Sequence, residues 1–145
     1  MRKKKSCVAK ISQLGEPKDG AGGVRRCVAL KIPGELPNLN QVISQTKKHW
    51  STYANLKRIQ TRRIALMAIQ LQPVAPPVQL VFHWTTKDLR VDPDNTAHAC
   101  KYILDGLVEA GVLPDDNRKT IKEISHRFPA PDKKNPNTVV EIFSQ

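Results

Sequence analysis

One segment constrains the fold more than any other, because its apolar residues repeat with a period of two. From Val78 to Thr86 the chain reads Val-Gln-Leu-Val-Phe-His-Trp-Thr-Thr. As an extended strand, this segment places four apolar side chains on one face: Val78, Leu80, Phe82 and Trp84. His83 points to the opposite face and is interpreted as a half-buried strand residue rather than a catalyst. A half-buried strand of this kind needs a sheet around it.

Two longer segments have the periodicity of amphipathic helices. The first runs from about Gln41 to Gln70, with Asn38 or Asn40 as its N-cap and prolines after its end. The second fits residues 96–110 and stops at Gly111. Further strands are predicted at residues 27–32, 121–128 and 138–143. The order β, α, β, α, β, β favours an α+β fold, as a single compact domain with a mixed sheet and two main helices.

The 145 residues suffice for one domain with a core and are too few for two. That domain is expected over residues 27–145. Residues 1–26 combine a basic cluster with several glycines, which predicts a flexible N-terminal arm holding at most a short strand at residues 7–11.

The charge is strongly unbalanced, with 24 Lys and Arg against 13 Asp and Glu and a formal net charge of +11. Such a chain favours a polyanionic partner, with nucleic acid ahead of an anionic membrane, although charged residues can also form an ordinary solvated surface. Lys57 follows Trp50 by seven residues and shares its helix face, where it either covers the core with its stem or points into a site. Candidate DNA contacts are Lys47, Lys48, Lys57, Arg58, Arg62 and Arg90.

The cysteines and the hydropathy point to a cytoplasmic protein. Cys7, Cys27 and Cys100 are odd in number and far apart, which is typical of free thiols in a reducing compartment. No apolar run approaches the roughly 18 to 20 residues of a membrane span. The histidines have no zinc-type spacing, so no structural zinc and no membrane contact are expected.

The acidic residues that carry chemistry lie between Arg90 and Asp116. Asp92 and Asp94 are two apart after a strand, and a pair, Asp115 and Asp116, follows Pro114. Carboxylates that converge repel one another unless basic groups or a hard cation intervene, and oxygen ligands suit Mg²⁺ or Mn²⁺. Magnesium is the usual agent for activating water in phosphodiester hydrolysis. The Asp-x-Asp-Asn segment can equally be an Asx turn and N-cap, formed by Asp94 or Asn95.

Along the second helix, four polar side chains recur on one face: Asp94, His98, Lys101 and Asp105. Lys101 is therefore expected on the side of the carboxylates. Asp105 is interpreted as a structural or surface residue rather than a ligand. His98 either assists there or is a hydrogen-bonded surface group.

The segment from Asp92 to Asp116 resembles the signature of the RusA-type Holliday-junction resolvases, which runs D-x-D-N, a lysine, L-D-x-L, a glycine turn and a D-D pair. The resemblance extends over about residues 27–143, and Leu36-Pro-Asn-Leu-Asn40 also looks like phage or prophage members. It implies a RusA-like fold and a homodimeric, magnesium-dependent endonuclease that resolves four-way DNA junctions in recombination and repair.

The resemblance implies three metal-binding catalytic carboxylates, which by motif position are Asp92, Asp94 and Asp116. It also implies a catalytic lysine, which is Lys101. The interval after D-x-D-N is longer here than in the family pattern, so a lysine counted forward from Asp94 falls on His98. Counted back from Asp105 it falls on Lys101, which also has the helical phase of Asp94. The alternatives are a non-catalytic nucleic-acid-binding protein with the same fold and a basic structural protein.

Overall fold

The computed structural model describes residues 26–145, and within them four strands form one sheet. The expected N-terminal arm and the short strand at residues 7–11 lie outside this range, apart from Arg26. The strands are β1 (Cys27–Pro33), β2 (Val78–Thr85), β3 (Ile121–Arg127) and β4 (Asn137–Ser144).

The sheet is mixed, in the order β1-β4-β2-β3. β4 pairs antiparallel with both β1 and β2, while β2 and β3 are parallel. The four side chains that the period of two placed on one face of β2 are all at most 3% exposed, which confirms that prediction. Together with the helices this gives the predicted α+β domain with a mixed sheet.

The first predicted helix is in fact two, α1 (Leu39–Lys48) and α2 (Trp50–Ala68). Asn38 is the N-cap of α1, and it forms a capping box with Gln41 through two bonds of 3.0 Å. His49 interrupts the predicted continuous helix because its backbone is extended, with φ −164° and ψ 140°. Its ring Nδ1 accepts the Ser51 N–H at 3.2 Å, so the same residue ends α1 and caps α2.

The second predicted helix also differs from expectation. It divides into α3 (Pro93–Ala97) and α4 (Cys100–Glu109), joined by a tight turn at His98 and Ala99. The N-cap of α3 is Asp92, without a side-chain cap bond, and not the predicted Asp94 or Asn95. Pro93 explains the earlier start, since its fixed φ suits the first helical position. Gly111, with φ +76°, follows the C-cap Ala110 and stops the helix, as predicted.

α2 and α4 pack closely across the sheet's buried face. At Gly106 of α4 an added Cβ would lie 2.6 Å from Cγ2 of Ile64 in α2. Ile64, Leu107 and Phe82 are fully buried in the same core cluster, which joins helices and sheet. The absence of a side chain at Gly106 therefore allows the short distance between the two helices. That distance in turn determines where the charged residues lie along the seam, the line of contact between α2 and α4.

Within the described part of the chain, no helix combines the length and apolar character that crossing a bilayer requires.

Candidate functional site

Four charged side chains from two helices and a loop meet at the seam between α2 and α4. Lys101 Nζ donates to Asp105 Oδ1 at 2.8 Å and to Asp116 Oδ2 at 3.0 Å. Lys57 Nζ of α2 lies 3.4 Å from Asp105 Oδ2. We call these four residues, Lys57, Lys101, Asp105 and Asp116, the Lys101 cluster. It alternates two ammonium groups with two carboxylates, so its charges balance.

The Asp105 carboxylate is the centre of this cluster. Its side chain is 20% exposed, and it contacts a lysine from each of the two packed helices. Its Oδ2 is shielded from solvent, and the contact with Lys57 is an ion pair without hydrogen-bond geometry. The interpretation of Asp105 as a structural residue fits its role in joining α2 to α4, but the residue also orients Lys101.

The loop after α4 is fixed by its own side chains. Asp115 accepts the Asp116 backbone N–H at 2.7 Å, and Asn117 Oδ1 accepts the N–H groups of Lys119 and Thr120 at 2.9 and 3.1 Å. Asp115 is therefore used by local turn geometry, whereas Asp116 directs its carboxylate at Lys101. Of the predicted acidic pair, only Asp116 joins the cluster.

The hydrogen bonds in the cluster stabilise its charged forms. The bond from Lys101 holds the pKa of Asp116 below its usual 3.8, against a smaller opposing effect of burial. The bonds to Asp105 and Asp116 raise the pKa of Lys101 above 10.5. Both groups are therefore ionised at neutral pH.

Asp92 and Asp94 have a different environment. Both are exposed at the start of α3, and neither carboxylate makes an ion pair or hydrogen bond within residues 26–145. His98 follows them in the turn, with its ring edge-on to Tyr102 at 6.3 Å. The His98 Nδ1 atom is buried and has no protein partner among the described residues. Within residues 26–145, the ring is therefore held by packing rather than by a hydrogen bond from Nδ1.

The three carboxylates that were predicted to bind magnesium do not form one preformed group in the described part of the chain. Over residues 26–145 no three His, Cys, Asp or Glu side chains are grouped closely enough to hold one ion. The structure thus joins Asp116 to Lys101 but does not gather Asp92, Asp94 and Asp116 into one preformed cage. A magnesium ion held by one or two carboxylates and a substrate phosphate is compatible with the residues present.

The candidate DNA-binding residues divide into paired and unpaired groups. Lys57 is bound to Asp105, Arg62 to Glu109 at 2.6 Å, and Arg90 lies 3.7 Å from Asp88. In the described region Lys47 and Lys48, in the last turn of α1, have no acidic partner, and Arg58 bonds only to the Asn55 amide.

The helices α1 and α2 are unusual in composition. Together they carry six basic residues and no acidic one: Lys47, Lys48, Lys57, Arg58, Arg62 and Arg63. Among residues 26–145, the acidic side chains paired with α2 come from α4, as Asp105 and Glu109. The seam is therefore charge-balanced, while the outer side of α1 and α2 is positive.

Neither the protein-family models nor the curated proteins include a match to this chain.

Two features of the site were missed by the sequence reasoning. The contact of Lys57 with Asp105 depends on how α2 packs on α4, for which the sequence contains no local signal. The exposure of Trp50, at 76%, was missed because its apolar character favoured a place in the helix's buried stripe. Trp50 is the first residue of α2, directly after the extended backbone at His49.

Proposed function

We propose that the chain is a magnesium-dependent, structure-specific DNA endonuclease that resolves four-way junctions by paired phosphodiester hydrolysis. The observation that carries the proposal is the geometry of Lys101, whose ammonium is held by two carboxylates while its side chain is still 46% exposed. It lies beside a helix pair with no acidic residue. The resemblance of residues 92–116 to RusA-type resolvases supports the choice of junction DNA as substrate.

The chemistry available to Lys101 follows from its donors. An ammonium group has three N–H bonds, and two are directed at Asp105 and Asp116. The third has no acceptor within residues 26–145 and could donate to a phosphate oxygen, where it would stabilise the negative charge that develops as the phosphodiester breaks. Because the two carboxylates fix the ammonium beforehand, little reorganisation is needed when the phosphate arrives.

Magnesium would be held by one or two of the three predicted carboxylates, Asp92, Asp94 and Asp116. A site of one or two carboxylates with DNA phosphate as a further ligand accords with the preference of Mg²⁺ for retaining water and phosphate oxygens. When bound, the ion supplies a water activated for attack on phosphorus and neutralises charge on the phosphate. Mn²⁺ has similar ligand preferences and is expected to substitute.

The RusA-like assembly is a homodimer, and we propose the same for this chain, acting in cytoplasmic recombination and repair. A two-fold dimer carries two copies of the site, which matches the approximate two-fold symmetry of a four-way junction and gives paired nicks.

A second candidate function is a non-catalytic nucleic-acid-binding protein with the same fold. The observation that favours it is the charge balance of the Lys101 cluster, which is stable without any metal. It predicts magnesium-independent binding and no cleavage.

The deciding experiment is cleavage of an end-labelled synthetic four-way junction in magnesium or EDTA, with linear duplex as control. We expect symmetric, magnesium-dependent nicking by the wild type. Asp94→Asn should abolish nicking while junction binding stays equal or becomes tighter, because a negative charge facing phosphate is removed. Junction binding without nicking in either Mg²⁺ or Mn²⁺ would establish the non-catalytic alternative.

A further inference from the structure

Trp50 is exposed to a degree that is unusual for its residue type. The side chain is 76% accessible although tryptophan is usually among the more buried residues. It begins α2, directly after the break at His49, whose ring lies 5.7 Å away and tilted by 30°. The indole therefore presents a large planar surface to solvent.

The charges around Trp50 indicate what this surface binds. Lys47 and Lys48 precede it, and no acidic residue occurs between Leu36 and Lys87. A two-fold contact of this surface with itself would bring Lys47 and Lys48 of both copies together, so charge disfavours a dimer interface at this place. A single-stranded nucleic acid matches both the lysines and the exposed indole, since its phosphates pair with lysines and its bases stack on aromatic rings.

The position of Trp50 relates it to the Lys101 cluster. Trp50 and Lys57 are seven residues apart in one helix, close to two full turns, and so lie on the same face. Lys57 in turn contacts Asp105. The axial separation is about 10.5 Å, or about three base steps of a DNA strand.

We propose that Trp50 is a stacking platform for an unpaired base of the DNA strand whose phosphate lies at the Lys101 cluster. Lys47 and Lys48 bind the neighbouring phosphates. The preferred substrate is then branched DNA with unpaired nucleotides near the branch, rather than a junction paired to its centre. This inference rests on the proposed nuclease only for the identity of the cut strand, because single-strand binding by Trp50 does not require cleavage.

The test uses the full chain in EDTA, with a labelled oligothymidylate of about 16 nucleotides, the upper site size of comparable single-strand binders. We expect Trp50→Ala to weaken binding roughly 5- to 150-fold, the range that loss of one stacked base produces. Trp50→Phe keeps a ring and should recover most of the affinity. Ile69→Ala, which removes another exposed apolar side chain near the end of α2, is the matched control and should bind like the wild type.

Intrinsic fluorescence gives a second measurement, because Trp84 is buried and Trp50 is exposed. DNA should quench the wild-type emission and leave that of Trp50→Phe unchanged. A melting temperature equal to the wild type in Trp50→Ala will show that the core is intact.

Affinity of Trp50→Ala within twofold of the wild type, or quenching that persists in Trp50→Phe, would overturn the platform. If the wild type then still nicks junctions, the nuclease proposal is unaffected. Trp50-dependent binding without nicking in any divalent metal would uphold the platform and overturn the nuclease. Increased solubility or loss of self-association in Trp50→Ala, with unchanged DNA affinity, would assign the ring to a protein contact and refute the inference.

Discussion

The two acidic regions of the proposed site differ in how their charges are compensated. In the Lys101 cluster each carboxylate has an ammonium partner: Asp105 contacts Lys57 across the seam, and Asp116 contacts Lys101 of the preceding helix. Asp92 and Asp94 are exposed and have no such partner within residues 26–145. The cluster is thus stable by itself, whereas the exposed pair has free oxygens for a ligand. The comparison separates residues that organise the site from residues that are available to bind.

The largest expected effect is on cleavage, in Lys101→Ala. If the cluster exists to position this ammonium, its loss removes one preorganised donor from the phosphate, and kcat should fall about 100- to 1,000-fold. Single-turnover cleavage of a labelled junction measures this. Lys122→Ala, which changes an exposed lysine on β3, is the control. A cleavage rate within threefold of the wild type would show that the cluster is structural only.

The next effect is on stability, in Gly106→Ala. The new methyl group would overlap Ile64, so the helices must separate, and the free energy of unfolding should fall by about 1–3 kcal/mol. Urea denaturation measures the change. Combining the change with Ile64→Ala should destabilise less than the sum of the two single changes, because the overlap is partly relieved. Strict additivity would mean that the close approach at the seam is not what limits this position.

A smaller effect concerns the pH dependence of stability. Lys101 lowers the pKa of Asp116 below the unfolded value of 3.8. The stabilisation from this carboxylate is therefore present above pH 3.8 and is lost as the pH falls through the lower folded pKa. In Lys101→Gln the pKa of Asp116 should move up, which carboxyl-detected NMR titration would record. An unmoved titration would show that Lys101 does not contact Asp116 in solution.

The smallest effect is expected for Arg62→Ala, which removes the other ion pair along the seam. Arg62 is 66% exposed, and surface pairs contribute about 0–1 kcal/mol, so the melting temperature should hardly change. Glu109→Ala should leave the melting temperature equally unchanged if Arg62 and Glu109 serve only to pair with each other. A loss of DNA affinity in Arg62→Ala alone would instead add Arg62 to the positive surface.

Some of this architecture is local, and the sequence alone therefore determined it. The period of two in β2 predicted four of its buried side chains, and the sequence limited the N-cap of α1 to Asn38 or Asn40, of which the structure has Asn38. These features depend on residues a few positions apart, where backbone geometry is nearly the same in every protein. The helix break at His49 was not predicted, since the amphipathic pattern was interpreted as continuous from about Gln41 to Gln70.

The candidate site likewise combines contacts that the sequence predicts with contacts that only the packing of the helices determines. Lys101 and Asp105 are four residues apart on one helix, so the sequence could place them together. The link from Lys57 to Asp105 joins residues 48 positions apart, and it exists because Gly106 lets α2 approach α4 closely. Helix periodicity sets which residues share a face, but only the packing of one helix on another sets which faces meet. The pairing of charges along the seam, and the exposure of Trp50 beyond it, therefore belong to the tertiary structure.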